Sequence, residues 1–151
     1  MFLLVHPRPR RLLVNPMATS INVLVADDQE NLRLLFSHVL RFMGHNCDLA
    51  ADGRECLLRV TEARYDILFL DLVMPEIDGE TVLRWIKAHS PQTNVIVTSV
   101  QDDDGVIQKM LALGATAYLV KPFTVTEIKG VMQHILNRRT RDGLSLSAVI
   151  A

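Results

Sequence analysis

The chain has 151 residues and a formal net charge of -1, a size that suits one domain with a buried core of its own and a charge that leaves no electrostatic footprint for nucleic acid or an anionic membrane. Two cysteines, Cys47 and Cys56, lack metal-type spacing and are too few for a disulfide framework, so they read as reduced packing residues of a cytoplasmic protein. No apolar run approaches the roughly 18 residues that span a bilayer, and residues 1–5 lack the basic leader and length of a signal peptide.

Residues 1–20 carry prolines and arginines without a sustained period, so they read as a disordered or cloning-derived extension outside the fold, with Met17 as an alternative start. Residues 21–26 (INVLVA) are β-rich and run into Asp27-Asp28, an apolar strand ending in acids. Beyond Asn31, the residues Leu32, Leu35, Phe36, Val39 and Met43 recur at helical spacing, and Gly44 supplies the stop. A weaker strand over 46–51 leads into the Ala51-Asp52-Gly53 turn and a short helix to about residue 62, which carries Cys56, Leu57 and Val60. Ile67, Leu68, Phe69 and Leu70 then form the continuous apolar run of a strand buried on both faces, and Asp71 stands where it surfaces. Met74-Pro75 and Asp78-Gly79 put that carboxylate beside a loop, where on local grounds alone it could equally be an ordinary turn aspartate.

Residues 79–89 read as a helix with Val82, Leu83 and Ile86 inward, ended by Ser90-Pro91. Val95, Ile96 and Val97 form the fourth strand, which ends in Thr98-Ser99. The run Asp102-Asp103-Asp104 suits the next helix's N-terminus, through the macrodipole, better than a metal. Val106, Ile107, Met110 and Leu111 mark that helix's buried stripe, and Gly114 stops it. Residues 117–120 are the fifth strand, running into Lys121-Pro122. Thr124 and Glu127 form a capping box for a last helix carrying Ile128, Val131, Met132, Ile135 and Leu136. Arg138, Arg139 and Arg141 read as a solvated helix end, with residues 139–151 a C-terminal tail and 21–138 one domain. Strands and helices in regular alternation predict an α/β domain whose parallel sheet is covered on both faces.

In such sheets ligands bind beyond the carboxyl ends of the strands, and each polar candidate falls at one of those ends: Asp27 and Asp28, Asp71, Thr98, Lys121. Two carboxylates about 4 Å apart repel by roughly 4 kcal/mol at an effective dielectric of about 20, so converging acids need a proton or a cation. Magnesium fits oxygen ligands of this kind, whereas no His or Cys cluster points to zinc. Lys121 supplies a point charge and Thr98 a hydroxyl for phosphate oxygens, which leaves Asp71 as the carboxylate that takes a phosphoryl group.

The motifs VLVADD, LFLDLVMPEIDG, VIVTS and YLVKPF, in this order and spacing, resemble the receiver domain of bacterial response regulators. The resemblance covers residue 21 to about residue 138 and implies a flavodoxin-like doubly wound sheet of strand order 2-1-3-4-5. It implies that Asp71 is the phosphoacceptor, that Asp28 and Asp71 bind Mg2+ directly with the backbone carbonyl of Val73, and that Asp27 binds it through water. Thr98 resembles the switch hydroxyl, Lys121 the phosphate-binding lysine and Tyr118 the switch aromatic. Lys121-Pro122 resembles the family's cis peptide. Val73 and Val100 stand where the family tunes hydrolysis of the acyl phosphate, and two apolar side chains there imply slow self-dephosphorylation.

The expected role is a switch of a two-component system or phosphorelay, catalysing only its own phosphorylation and dephosphorylation. The phosphoryl donor would be a phosphohistidine on a sensor histidine kinase or histidine phosphotransfer domain. With no room for a DNA-binding module at either end, the chain reads as a stand-alone receiver that signals through a downstream effector protein. Arg33, Leu34 and the exposed side of the first helix are candidate docking positions, although a plain solvated face is the favoured reading of each one. A haloacid dehalogenase-like aspartyl phosphatase is the enzyme alternative, but that family has a second acid two residues after the nucleophile, where this chain has Val73. A degenerate receiver scaffold is the other alternative, against which the full set of acids, Thr98 and Lys121 stands.

Overall fold

The computed structural model describes residues 20–150, with side chains for residues 20–142; the extension expected over residues 1–20 lies outside the described residues apart from Ser20. The elements alternate as the sequence predicts: β1 (Asn22–Ala26), α1 (Glu30–Phe42), β2 (Asn46–Ala50), α2 (Gly53–Glu62), β3 (Ile67–Asp71), α3 (Gly79–His89), β4 (Asn94–Ser99), α4 (Asp104–Ala112), β5 (Ala117–Val120) and α5 (Val125–Ile150). All strand pairings are parallel, in the order β2-β1-β3-β4-β5. The expected flavodoxin-like order is therefore the observed one.

Side-chain alternation along buried strands divides the core into two layers. Val23, Val25, Ile67, Phe69 and Ile96 face one side, where Phe36, Val39 and Leu40 of α1 and Ile128, Met132 and Ile135 of α5 cover them. Leu24, Ala26, Leu68, Leu70, Val95 and Val97 face the other, under Cys56 of α2, Val82, Leu83 and Ile86 of α3 and Met110 of α4. Fully burying one such aliphatic side chain stabilises the fold by about 1.5–3 kcal/mol, so these two layers carry most of the stability. Burial pushes the Cys47 thiol up to about 11 and the Cys56 thiol up to about 12. Both are free thiols and behave as packing groups.

Helix boundaries follow the local chemistry. Asp52, Asp78 and Asp103 each cap a helix by accepting a backbone N–H, from Glu55, Thr81 and Val106. Thr124 and Glu127 form the predicted reciprocal box at the start of α5. Two details differ from expectation. Leu111, assigned to the buried stripe of α4, is 37% exposed, because α4 lies over β5, a four-residue edge strand with no fully buried side chain. The stretch expected as a tail from residue 139 continues α5 to Ile150.

Arg139 is also tied to the sheet's lower end: its Nη1 donates to Asp66 Oδ1 at 2.9 Å, and the Asn22 N–H donates to Asp66 Oδ2 at 2.9 Å. Burial alone would raise the Asp66 carboxyl, but the Asn22 N–H and Arg139 outweigh it and hold the group below its ordinary value. A depressed folded-state value stabilises the fold above the unfolded-state value, and that contribution is lost as pH falls through the folded-state one. Arg139→Met is therefore expected to lower the urea midpoint at neutral pH. The deficit should narrow as pH falls below the ordinary carboxylate range, and one that stays constant would contradict the role given to Asp66.

Candidate functional site

The alternation that builds the core also builds the site. Val23 and Val25 lead in steps of two to Asp27, Ile67 and Phe69 to Asp71, Ile96 to Thr98, and Ala117 and Leu119 to Lys121. Four polar side chains therefore extend one apolar row at the carboxyl ends of β1, β3, β4 and β5, on the face covered by α1 and α5. Asp71 and Thr98 are register partners on adjacent strands. Tyr118 has the opposite parity, packs toward the α4 side and donates its hydroxyl to the Gln101 carbonyl at 2.8 Å.

Beneath the row the Phe36 ring lies 4.6 Å from that of Phe69 and 5.5 Å from that of Phe123, centroid to centroid. This apolar floor leaves Asp27 1% and Asp71 5% exposed. Lys121 Nζ joins them, 2.9 Å from Asp27 Oδ2 and 3.2 Å from Asp71 Oδ2. Burial raises the Asp71 carboxyl above its ordinary value; the Lys121 ammonium pulls it down without overcoming that effect, and Asp27 adds repulsion. Burial by itself would lower Lys121, yet the hydrogen bond it donates to Asp27 and the charges of Asp71 and Asp27 carry it above its ordinary value. One ammonium facing these acids leaves the cluster with excess negative charge.

Asp27, Asp28 and Asp71 each offer a carboxylate oxygen within 4.8 Å of the others. Three hard oxygen donors without a nitrogen or sulfur ligand fit a hard divalent cation. Both Asp27 oxygens are occupied, Oδ1 by the Gln29 N–H at 2.8 Å and Oδ2 by Lys121. Asp28 is exposed, and the ion pairs at this end of the sheet leave it out. Val73 donates its N–H to Asp71 Oδ1 at 3.2 Å and turns its side chain to solvent, 60% exposed, while Val100 is 70% exposed on the β4 side. The Lys121-Pro122 peptide is cis.

Several contributors escape a reading by motif. Gly79 opens α3 directly against the end of β3, its N–H donating to Leu72 O at 3.0 Å; a Cβ there would stand 2.2 Å from the Asp71 carbonyl oxygen. Asp78-Gly79 signals a turn in the sequence, but nothing local says what the glycine must approach. Leu34, a predicted docking position, is 48% exposed, whereas Arg33 turns inward and donates from Nη1 to the Asp27 carbonyl at 2.8 Å.

The family model described as the response regulator receiver domain matches residues 23–133. The chain is 34% identical over 122 residues to the response regulator MprA of Mycolicibacterium vanbaalenii, an alignment covering 81% of this chain and 53% of that protein. It is 37% identical over 134 residues to the transcriptional regulatory protein PrrA of Mycobacterium tuberculosis, covering 87% and 57%. The chain thus spans about half the length of these curated relatives. Among solved structures, the chemotaxis response regulator CheY4 of Vibrio cholerae superposes with a TM-score of 0.74 at 31% identity, covering 78% of this chain and 99% of that one. The Francisella response regulator 1452 receiver domain gives 0.75 at 28% identity, covering 80% and 99%.

Proposed function

The chain belongs to the response regulator receiver domain family, and from that membership we propose that it is a phosphorylation-dependent switch in which Asp71 accepts a phosphoryl group from phosphohistidine. The observation that carries the reading is the setting of Asp71: a buried strand-end carboxylate with a raised pKa, paired with Lys121 and ringed by Asp27 and Asp28. The donor would be a sensor histidine kinase or a histidine phosphotransfer domain, and a downstream effector would read the result. No described helix is long and apolar enough to cross a membrane.

In the transfer, an Asp71 carboxylate oxygen attacks phosphorus as the N–P bond of phosphohistidine breaks. The electron pair leaves with the imidazole nitrogen, which takes up a proton, and an acyl phosphate forms. Lys121 gives up part of its contact with Asp71 to follow the new phosphoryl oxygens, and the Thr98 hydroxyl is the donor across the strand pair. Asp28, Asp71 and the Val73 carbonyl would hold Mg2+ directly, with Asp27, whose oxygens are already engaged, acting through water. Bound there, Mg2+ neutralises charge on the acids and on the incoming phosphoryl group. Gln29, Leu32, Val100, Pro122 and Phe123 border a recess around Lys121 that suits the approach of a donor imidazole. The added charge, about -1.5 to -2, biases an inactive–active equilibrium read through Thr98, Tyr118 and the surface of α4, β5 and α5.

Incubation with phosphoramidate and Mg2+ should add the mass of one phosphoryl group to the intact chain, and EDTA should suppress the adduct. Equal labelling with and without EDTA would contradict the metal assignment. Val73 and Val100 flank the reacting group without offering water a polar partner, so the acyl phosphate should be long-lived. Val73→Asn is expected to shorten its half-life several-fold in a single-turnover decay, and a half-life unchanged or lengthened would contradict that role.

A further inference from the structure

We infer that Arg33 is a positioning residue for the acid pair that follows β1, acting through the peptide bond between Asp27 and Asp28. This rests on the receiver reading given above. Asp27 uses every polar group it has: its N–H donates to Ala50 O at 3.1 Å, its Oδ1 accepts from Gln29 and its Oδ2 from Lys121. The Asp27 carbonyl lies past the last registered pair of β1 with β3, Ala26 with Leu70, and the Leu72 N–H is already given to Thr98 O at 3.2 Å. Arg33 supplies the donor instead, reaching back from α1 with Nη1 at 2.8 Å.

That carbonyl belongs to the planar unit joining Asp27 to Asp28, so holding it fixes the plane from which Asp28 departs. Asp28 needs such help more than its neighbours do. Asp27 and Asp71 are buried and anchored on Lys121, whereas Asp28 is exposed and outside those ion pairs, so its aim into the cluster is set by the backbone. The guanidinium suits the task because it stays charged and presents directional N–H donors from a rigid plane. A cation near three acids could instead act only as competing charge, and the two roles differ in sign: losing a positioning residue weakens metal binding, and losing a competing charge strengthens it.

Titration with Mn2+, followed by the EPR signal of the free ion, separates these roles in the full chain alongside metal-free thermal unfolding. Arg33→Met should bind Mn2+ about tenfold more weakly than wild type, the scale of losing a partner that orients a metal ligand. Arg33→Lys, which keeps a donor and the charge, should recover most of that loss. An Arg33→Met chain that binds Mn2+ as tightly as wild type, or more tightly, overturns the inference. If Arg33→Met fails to fold, Arg33→Lys decides: recovery supports the inference, and an undiminished tenfold loss overturns it. Wild-type Mn2+ uptake unaffected by Asp28→Asn would place the ion elsewhere and remove the receiver reading of the acids, with the inference built on it.

Discussion

Asp71→Asn is expected to take up no phosphoryl group from phosphoramidate and Mg2+, while unfolding at a higher temperature than wild type in metal-free buffer at neutral pH. The first outcome follows because an amide cannot supply the carboxylate oxygen that attacks phosphorus. The second follows from the raised folded-state pKa of Asp71. A carboxyl whose value is higher folded than unfolded costs folding free energy when ionised, and the cost grows as pH rises from the unfolded value through the folded one. The isosteric amide removes that cost and leaves Lys121 its 2.9 Å contact with Asp27. The paired readout separates lost chemistry from misfolding. A phosphoryl adduct that persists in Asp71→Asn, measured by intact mass, would contradict the assignment.

Gly79→Ala should produce a large loss of stability, because its one added methyl group falls on backbone at the end of β3. The added Cβ would meet the Asp71 carbonyl oxygen at 2.2 Å and Leu72 Cα at 2.7 Å, both backbone atoms of the segment that presents the acceptor. A flexible side chain could swing aside, but here β3 and the start of α3 must separate, at a cost of about 3 kcal/mol or more. That corresponds to a fall of roughly 10 °C in Tm, together with slower phosphorylation of the folded fraction, because the displaced strand end carries Asp71. Gly130→Ala, on α5 with nothing within 4 Å of its added Cβ, serves as the control and should be neutral to stabilising by up to about 1 kcal/mol. A Gly79→Ala chain as stable as wild type would show that the close approach is not needed.

Much of this was legible in the sequence because two periodicities carry it. The strands announce themselves as apolar runs, and Asp27, Asp71 and Lys121 each stand two residues beyond a side chain in the α1 and α5 layer, namely Val25, Phe69 and Leu119. The alternation also separates Tyr118, on the opposite face, from its neighbour Lys121. Contacts between elements are what the sequence withholds. Arg33 has no reason, from its helix alone, to reach back to the Asp27 carbonyl, and Gly79 has none to lie against a carbonyl eight residues earlier. Leu111 fits a helical stripe yet meets no full sheet, because β5 is an edge strand of four residues. The far end of α5 is hidden for a related reason: the apolar spacing breaks off after Leu136 and the helix continues through the polar residues 137–142, with Arg139 tied to Asp66.

The most direct measurement is to locate the phosphoryl group itself. Wild-type chain treated with phosphoramidate and Mg2+, reduced with borohydride and digested, should yield homoserine in place of aspartate at residue 71, since an acyl phosphate is reduced there and a free carboxylate is not. Conversion at Asp71, absent without the phosphodonor, is the predicted result. Conversion at Asp27, Asp28 or any other carboxylate, or a stable adduct with no homoserine at all, would contradict the account.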